Sequence, residues 1–139
     1  MYKLLLGFMV LATVIWFAAC KANALKPGDA AGGAFRNMGV DEFEQLVADK
    51  EKVVVLDVRT EGEYREGHLE DALLIDVKKD SFREDARRLL PTGKVIAVYC
   101  RSGRRSVTAS DILSEEGFDV VNLLGGYMAW KDAGKKTVR

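Results

Sequence analysis

The chain has 139 residues, 21 Lys and Arg against 21 Asp and Glu, a formal net charge of +0, two cysteines and one histidine. That length fits one domain plus a leader. Balanced charge leaves no footprint for nucleic acid or a polybasic membrane surface, and two cysteines without CxxC spacing exclude a disulfide framework and a zinc site.

Residues 1–24 read as an export signal. Lys3 is the only charge before an uncharged apolar run from Leu4 to Ala19. Two processing sites compete. Phe17-Ala18-Ala19-Cys20 resembles a bacterial lipobox, with Phe17 where Leu is usual; Cys20 would then carry lipid and become the mature N-terminus. Ala22-Asn23-Ala24 fits the small-x-small pattern of ordinary signal peptidase. A third reading keeps the run as an anchor, although it is short for a full span. The lipobox is preferred because it directly abuts the apolar run. All three readings export the domain, as a periplasmic protein or a membrane-anchored lipoprotein. Residues 25–35, with Pro27, Gly28, Gly32 and Gly33, form a linker. The folded domain spans 36–134, and 135–139 is a C-terminal tail.

Within the domain, helix and strand signals alternate. Asp41 is placed to cap a helix carrying Phe43, Leu46 and Val47. Val53-Val54-Val55-Leu56 has the β-branched continuity of a buried parallel strand and ends at Asp57-Val58-Arg59. Thr60 and Glu63 have capping-box spacing and open a short helix through Arg65. Ala72 to Ile75 is a short strand, and Ser81 to Leu90 a charged amphipathic helix stopped by Pro91. Val95 to Tyr99 is the central strand. A helix follows from Ser106 to Glu116, with Val107, Ile112 and Leu113 on one face and Gly117 beyond its end. Val120 to Leu123 is the last strand, and Gly125-Gly126 turn into a helix containing Met128, Ala129 and Trp130. The alternation implies an α/β fold, a central parallel sheet with helices on both faces. Functional residues of such sheets lie at the carboxyl ends of the strands, where Asp57 and Cys100 both fall.

Cys100-Arg101-Ser102-Gly103-Arg104-Arg105-Ser106 joins the central strand to its helix. A helix N-terminus offers unpaired N–H groups and a positive dipole end, and three arginines add to that field. Both favour a low-pKa, nucleophilic thiolate at Cys100. The plain alternative is a buried cysteine acting as a small hydrophobe. If Cys20 is lipidated or removed, Cys100 is a lone thiol in an oxidising compartment, which calls for a function.

Four motifs in register, Asp57-Val58-Arg59, Gly67-His68-Leu69, the Cys100–Ser106 loop and Leu124-Gly125-Gly126-x-x-x-Trp130, resemble the rhodanese domain. With the export signal, the chain is similar to single-domain rhodaneses of the exported phage-shock-protein E type. The resemblance implies a rhodanese-like fold and thiosulfate sulfurtransfer through a Cys100 persulfide, without metal or cofactor. The acceptor would be cyanide, a thiol or a protein cysteine. It further implies that the backbone N–H groups of Arg101, Ser102, Gly103, Arg104, Arg105 and Ser106 wrap the sulfur. Arg101 and Arg104 would point outward to attract thiosulfate, while Arg105 braces the loop against acidic partners. Asp57 and Arg59 are read as paired loop supports rather than a catalytic acid and anion clamp, and His68 as a loop support rather than a partner of Cys100. Gly125 and Gly126 let the last helix approach, and Trp130 is core. Glu70-Asp71 departs from the family, which usually has a small residue or Pro and then Gly before Ala72; a changed turn is expected there. A phosphatase or arsenate reductase on the same fold, and a non-catalytic interaction module, are the alternatives. The former class needs Arg six positions after Cys, whereas Ser106 stands there and Arg105 comes one position early.

Overall fold

A computed structural model describes residues 35–139. The export signal, the Cys20 lipidation candidate and nearly all of the linker lie outside the described residues. Five strands form one parallel sheet in the order β1-β5-β4-β2-β3: β1 (Arg36–Met38), β2 (Val53–Asp57), β3 (Leu73–Leu74), β4 (Val95–Tyr99) and β5 (Asp119–Leu123). The helices between them are α1 (Val40–Val47), α2 (Glu61–Glu66), α3 (Phe82–Leu89), α4 (Arg104–Glu115) and α5 (Gly126–Asp132). Strand β4 is central, with all its residues from Ile96 to Tyr99 buried. From it the chain runs out in both directions, so the end of β4 opens into a topological switch point.

The sheet carries a core on each face. On one, Leu56, Ile96, Val98 and Val120 pack under Phe82 and Ala86 of α3 and Ala109 and Leu113 of α4. On the other, Val55, Ala97, Tyr99 and Leu123 pack under Phe43 of α1 and Trp130 of α5. Phe43 and Trp130 meet edge to face, with centroids 6.2 Å apart. The Trp130 indole N–H donates to the Lys136 carbonyl at 2.8 Å, so the aromatic stays satisfied while buried.

Three sequence expectations need correction. Strand β1 has no apolar alternation to announce it; it forms because Asn37 and Asn122 pair through their side chains at 2.9 Å and Met38 fills the core. Helix α1 begins at Val40 after Gly39, without a side-chain cap, and Asp41 sits in its first turn, 3.0 Å from the Lys135 ammonium. Helix α4 begins at Arg104, two residues earlier than expected, because Gly103 takes the left-handed conformation (φ 101) and starts the turn at once. Its buried stripe is Ser106, Ala109, Ser110 and Leu113, a face of mostly small residues that lets the helix lie close to the sheet. Val107 falls off that stripe and is 41% exposed.

At the family departure, Asp71 is the one non-glycine residue with positive φ (59) among the described residues, and its carboxylate pairs with Lys50. A short acidic side chain tolerates this conformation better than most. Residues 135–139, expected as a tail, fold back: Val138 and His68 exchange two backbone hydrogen bonds of 2.9 Å, and Arg139 Nε donates to the Glu66 carbonyl.

Candidate active site

Cys100 follows the last residue of β4 and is 1% exposed. The left-handed Gly103 folds the loop back, so that its own N–H donates to Cys100 Sγ at 3.1 Å. The loop carbonyls are held away from the sulfur. Tyr127 N–H donates to the Cys100 carbonyl at 2.8 Å and Met128 N–H to the Arg101 carbonyl at 3.0 Å. These donors are free because they lie in the first turn of α5. Such an approach requires Gly126: a Cβ there would stand 2.6 Å from the Cys100 carbonyl oxygen and 2.7 Å from the Arg101 carbonyl. Gly126 thus does more than turn the chain into α5; it seats that helix on the back of the loop.

With the carbonyls turned away, the N–H groups face the sulfur. Burial pushes the Cys100 thiol up; the Ser106 hydroxyl and the N–H groups of Ser106, Gly103 and Ser102 outweigh it, and the balance lies below the ordinary thiol value. The Ser106 hydroxyl donates to the Gly103 carbonyl at 3.0 Å, and it is one of the groups that favour the charged form of the thiol.

Arg105, in the first turn of α4, makes a bidentate pair with Glu63, at 2.8 and 2.7 Å. Glu63 also completes the capping box of α2, receiving the Thr60 N–H at 3.0 Å. The Arg105 guanidinium and the Thr60 donors hold its carboxyl, against the opposing effect of partial burial, down at about 2. One carboxylate therefore ties the cysteine loop to α2. The capping-box spacing marks Glu63 in the sequence as a helix-start residue, but nothing there marks its second partner. Arg101 and Arg104 are exposed, and among the described residues neither forms an ion pair.

Asp57 and Arg59 sit at the end of β2, buried against each other. Arg59 Nε and Nη2 reach the Asp57 carboxylate at 3.0 and 2.7 Å, and Nη2 also donates to the Gly67 carbonyl at 2.7 Å. Tyr99 donates its hydroxyl to Asp57 at 2.5 Å and accepts the Leu69 N–H at 3.1 Å. Burial and the Asp57 charge push the Tyr99 phenol above its ordinary value, so it stays a neutral donor. The Tyr127 ring covers the guanidinium at 4.2 Å. The Asp57 carboxylate, Arg59 Nε and Nη2 and the Tyr99 hydroxyl are all spent on one another and on the Gly67 and Leu69 backbone, which fits a brace for the β2 and Gly67 loops. Tyr99 and Tyr127 escaped the sequence reading because an apolar strand and an apolar helix face account for both. His68 stacks on Tyr64 with centroids 3.7 Å apart, and its Nδ1 lies 2.9 Å from the Tyr64 carbonyl. A carbonyl only accepts, so that nitrogen carries the proton.

Beside the loop lies a cleft of about 600 Å³. Arg59 and Tyr127 contribute to its lining, together with Arg101 from the cysteine loop and Met128.

A five-stranded parallel sheet with a cysteine cradled by N–H groups at the strand-to-helix turn of its central strand defines an α/β domain built to hold a thiolate. The chain belongs to the rhodanese-like domain family, whose profile matches residues 39–133. It is 35% identical over 95 residues to a sulfurtransferase of Allochromatium vinosum, covering 68% of this chain and 86% of the relative. It is also 35% identical over 92 residues to the putative sulfurtransferase YtwF of Bacillus subtilis, covering 66% of this chain and 85% of that one. Among solved structures, a rhodanese-related protein of Thermoplasma volcanium superposes with a TM-score of 0.65 at 29% identity, over 75% of this chain and 98% of its own.

Proposed function

We propose that this protein is a thiosulfate sulfurtransferase that carries sulfane sulfur on Cys100. The observation that carries the reading is the Cys100 cradle: a buried sulfur, N–H donors aimed at it, and carbonyls pinned behind it by α5. Such a cradle stabilises negative charge on sulfur. In the first half-reaction the Cys100 thiolate attacks the outer sulfur of thiosulfate. A Cys–S bond to that sulfur forms, the thiosulfate S–S bond breaks, and sulfite leaves with the electron pair. The same N–H groups then face the persulfide anion. In the second half-reaction a thiophilic acceptor (cyanide, a thiol or a protein cysteine) attacks the outer sulfur, and the pair returns to Cys100. Arg101 and Arg104, exposed at the loop, draw the dianion in.

Phosphoryl chemistry on this fold requires a guanidinium facing the anion from the end of the loop. Here Arg105 is committed to Glu63. The domain is further proposed to be exported, like rhodanese domains of the phage-shock-protein E type, with Cys20 lipidated. Thiocyanate release from thiosulfate and cyanide, measured beside hydrolysis of a small aryl phosphate, tests the activity. Thiocyanate without phosphate release is expected; the converse would establish the phosphatase reading, and neither product would leave an interaction module.

A further inference from the structure

We infer that residues 135–139, clamped by Glu70, form a strap that joins α5 to α2 behind the cysteine loop and so positions that loop for the attack of Cys100 on its sulfur donor. The inference rests on the sulfur-transfer reading above and adds to it a set of positioning residues remote from the sulfur.

The strap starts where α5 ends. Gly134 is left-handed (φ 72); its N–H donates to the Lys131 carbonyl at 2.9 Å, and the Lys135 N–H donates to the Trp130 carbonyl at 3.2 Å. This is the Schellman pattern, which stops the helix and turns the chain. The segment that follows is fixed along its length. The Trp130 indole N–H reaches the Lys136 carbonyl from the core, and the Lys135 ammonium lies 3.0 Å from Asp41 of α1. Val138 and His68 exchange their two backbone bonds, and Arg139 Nε donates at 3.1 Å to the carbonyl of Glu66, the last residue of α2.

The departure from the family at Glu70-Asp71 gains a role here. The Glu70 carboxylate receives the Lys136 ammonium at 3.0 Å, and Lys50, paired with Asp71, lies 3.9 Å from the same carboxylate. The Lys136 and Glu70 side chains are 68% and 46% exposed, so their pair contributes at most about 1 kcal/mol. The backbone and indole bonds hold the strap, and the ion pair sets where it lands.

What the strap joins bears on Cys100. Helix α5 holds the Cys100 and Arg101 carbonyls, and α2 holds Arg105 through Glu63. Residues 67–71 run between them, under the strap. This stretch supplies the Gly67 carbonyl to Arg59 and the Leu69 N–H to Tyr99, the residue before Cys100. It packs on α5 without slack: a Cβ on Gly67 would collide with the Tyr127 hydroxyl. Tyr127 thus meets residue 67 through its side chain and the Cys100 carbonyl through its N–H. The contacts close a circuit from α5 through the strap and α2 to the cysteine loop and back to α5. Releasing the strap loosens the hold that keeps the Cys100 carbonyl turned from the sulfur. The strap makes none of its hydrogen bonds or ion pairs with Arg101 or Arg104, so it acts on the attack and not on attraction of the donor.

The test mixes the full chain rapidly with a range of thiosulfate concentrations and follows the loading of Cys100 by intact mass. Val138→Pro removes the N–H donated to His68. Its maximal loading rate should fall about fivefold or more, while the half-saturating thiosulfate concentration stays at the wild-type value. Val138→Ala keeps both backbone bonds and should load as wild type. Lys136→Glu sets like charges at the clamp and should slow loading about twofold, and Lys136→Glu/Glu70→Lys should restore it. Circular dichroism checks that the variants fold. A folded Val138→Pro protein that loads at the wild-type rate, or whose loss lies in the half-saturating concentration, would overturn the inference while leaving the loaded cysteine standing. If Val138→Pro does not fold, the charge reversal decides. Unchanged loading in Lys136→Glu, or slowing that Glu70→Lys does not relieve, would then overturn it. Wild-type protein that never loads would overturn the sulfur-transfer reading and this inference together.

Discussion

In the proposed reaction Cys100 loses its proton before it attacks, and the residues that lower the cost are neighbours in the chain. Ser102, Gly103 and Ser106 contribute N–H groups and Ser106 a hydroxyl, all favouring the thiolate. The rate of persulfide formation should therefore rise with pH through a midpoint below the ordinary thiol value of 9.0. Ser106→Ala removes one donor to the charged form, so its midpoint should move up. A stopped-flow pH profile of both proteins checks the direction. Arg101 and Arg104 are proposed to act at longer range. Replacing both with Ala should raise the KM for thiosulfate more than it lowers kcat, and the difference should shrink as salt screens the field. Steady-state kinetics at two ionic strengths decide it; an unchanged KM at low salt would make them ordinary surface arginines.

At the scale of elements, the cysteine loop is held from two sides. Helix α5 grips its carbonyls, and Glu63 of α2 grips Arg105. Two arginines in the first turn of α4 oppose the helix dipole, and only one of them is compensated by a carboxylate. The uncompensated Arg104 lowers helix stability and strengthens the field at the loop. Gly126→Ala tests the grip of α5. The new Cβ would collide with backbone rather than a flexible side chain, in a residue with φ +60. A loss of about 1–3 kcal/mol in stability is expected from overpacking, with persulfide formation impaired in whatever remains folded. Urea denaturation and single-turnover loading measure the two effects.

The strands were legible because Val53–Leu56, Val95–Tyr99 and Val120–Leu123 are apolar and β-rich, and the cysteine loop because its motif is local. Asp57 and Arg59 were legible as a pair for the same reason: one residue separates them. What stayed hidden was carried by backbone or by distance in sequence. The N–H groups of Tyr127 and Met128 bind the loop whatever their side chains, so no residue type signals them. Glu63 and Arg105 lie 42 positions apart, and so do Asp57 and Tyr99. Strand β1 depends on pairing with β5 rather than on its own composition. The α4 face was misread at Val107 because its buried stripe is built from serines and alanine.

At the scale of the whole molecule, the folded domain is joined to an N-terminal region whose sequence reads as an export signal. If Cys20 is lipidated, Cys20→Ala should lose membrane association or processing. If cleavage follows Ala24, that variant should fractionate as wild type, and a mature N-terminus at Leu25 would settle it. Fractionation with N-terminal sequencing distinguishes the two. Neither outcome touches the chemistry of the domain, because the cradle, its braces and the cleft all lie between residues 57 and 139.

The central claim, that Cys100 carries sulfur, is tested most directly by intact mass after thiosulfate treatment of wild type and Cys100→Ser. The change from sulfur to oxygen is close in size, so the variant should fold. Wild type should gain the mass of one sulfur atom and lose it again on adding cyanide, while Cys100→Ser gains nothing. A wild-type protein that stays unmodified, or a serine variant that still takes up sulfur, would contradict the account.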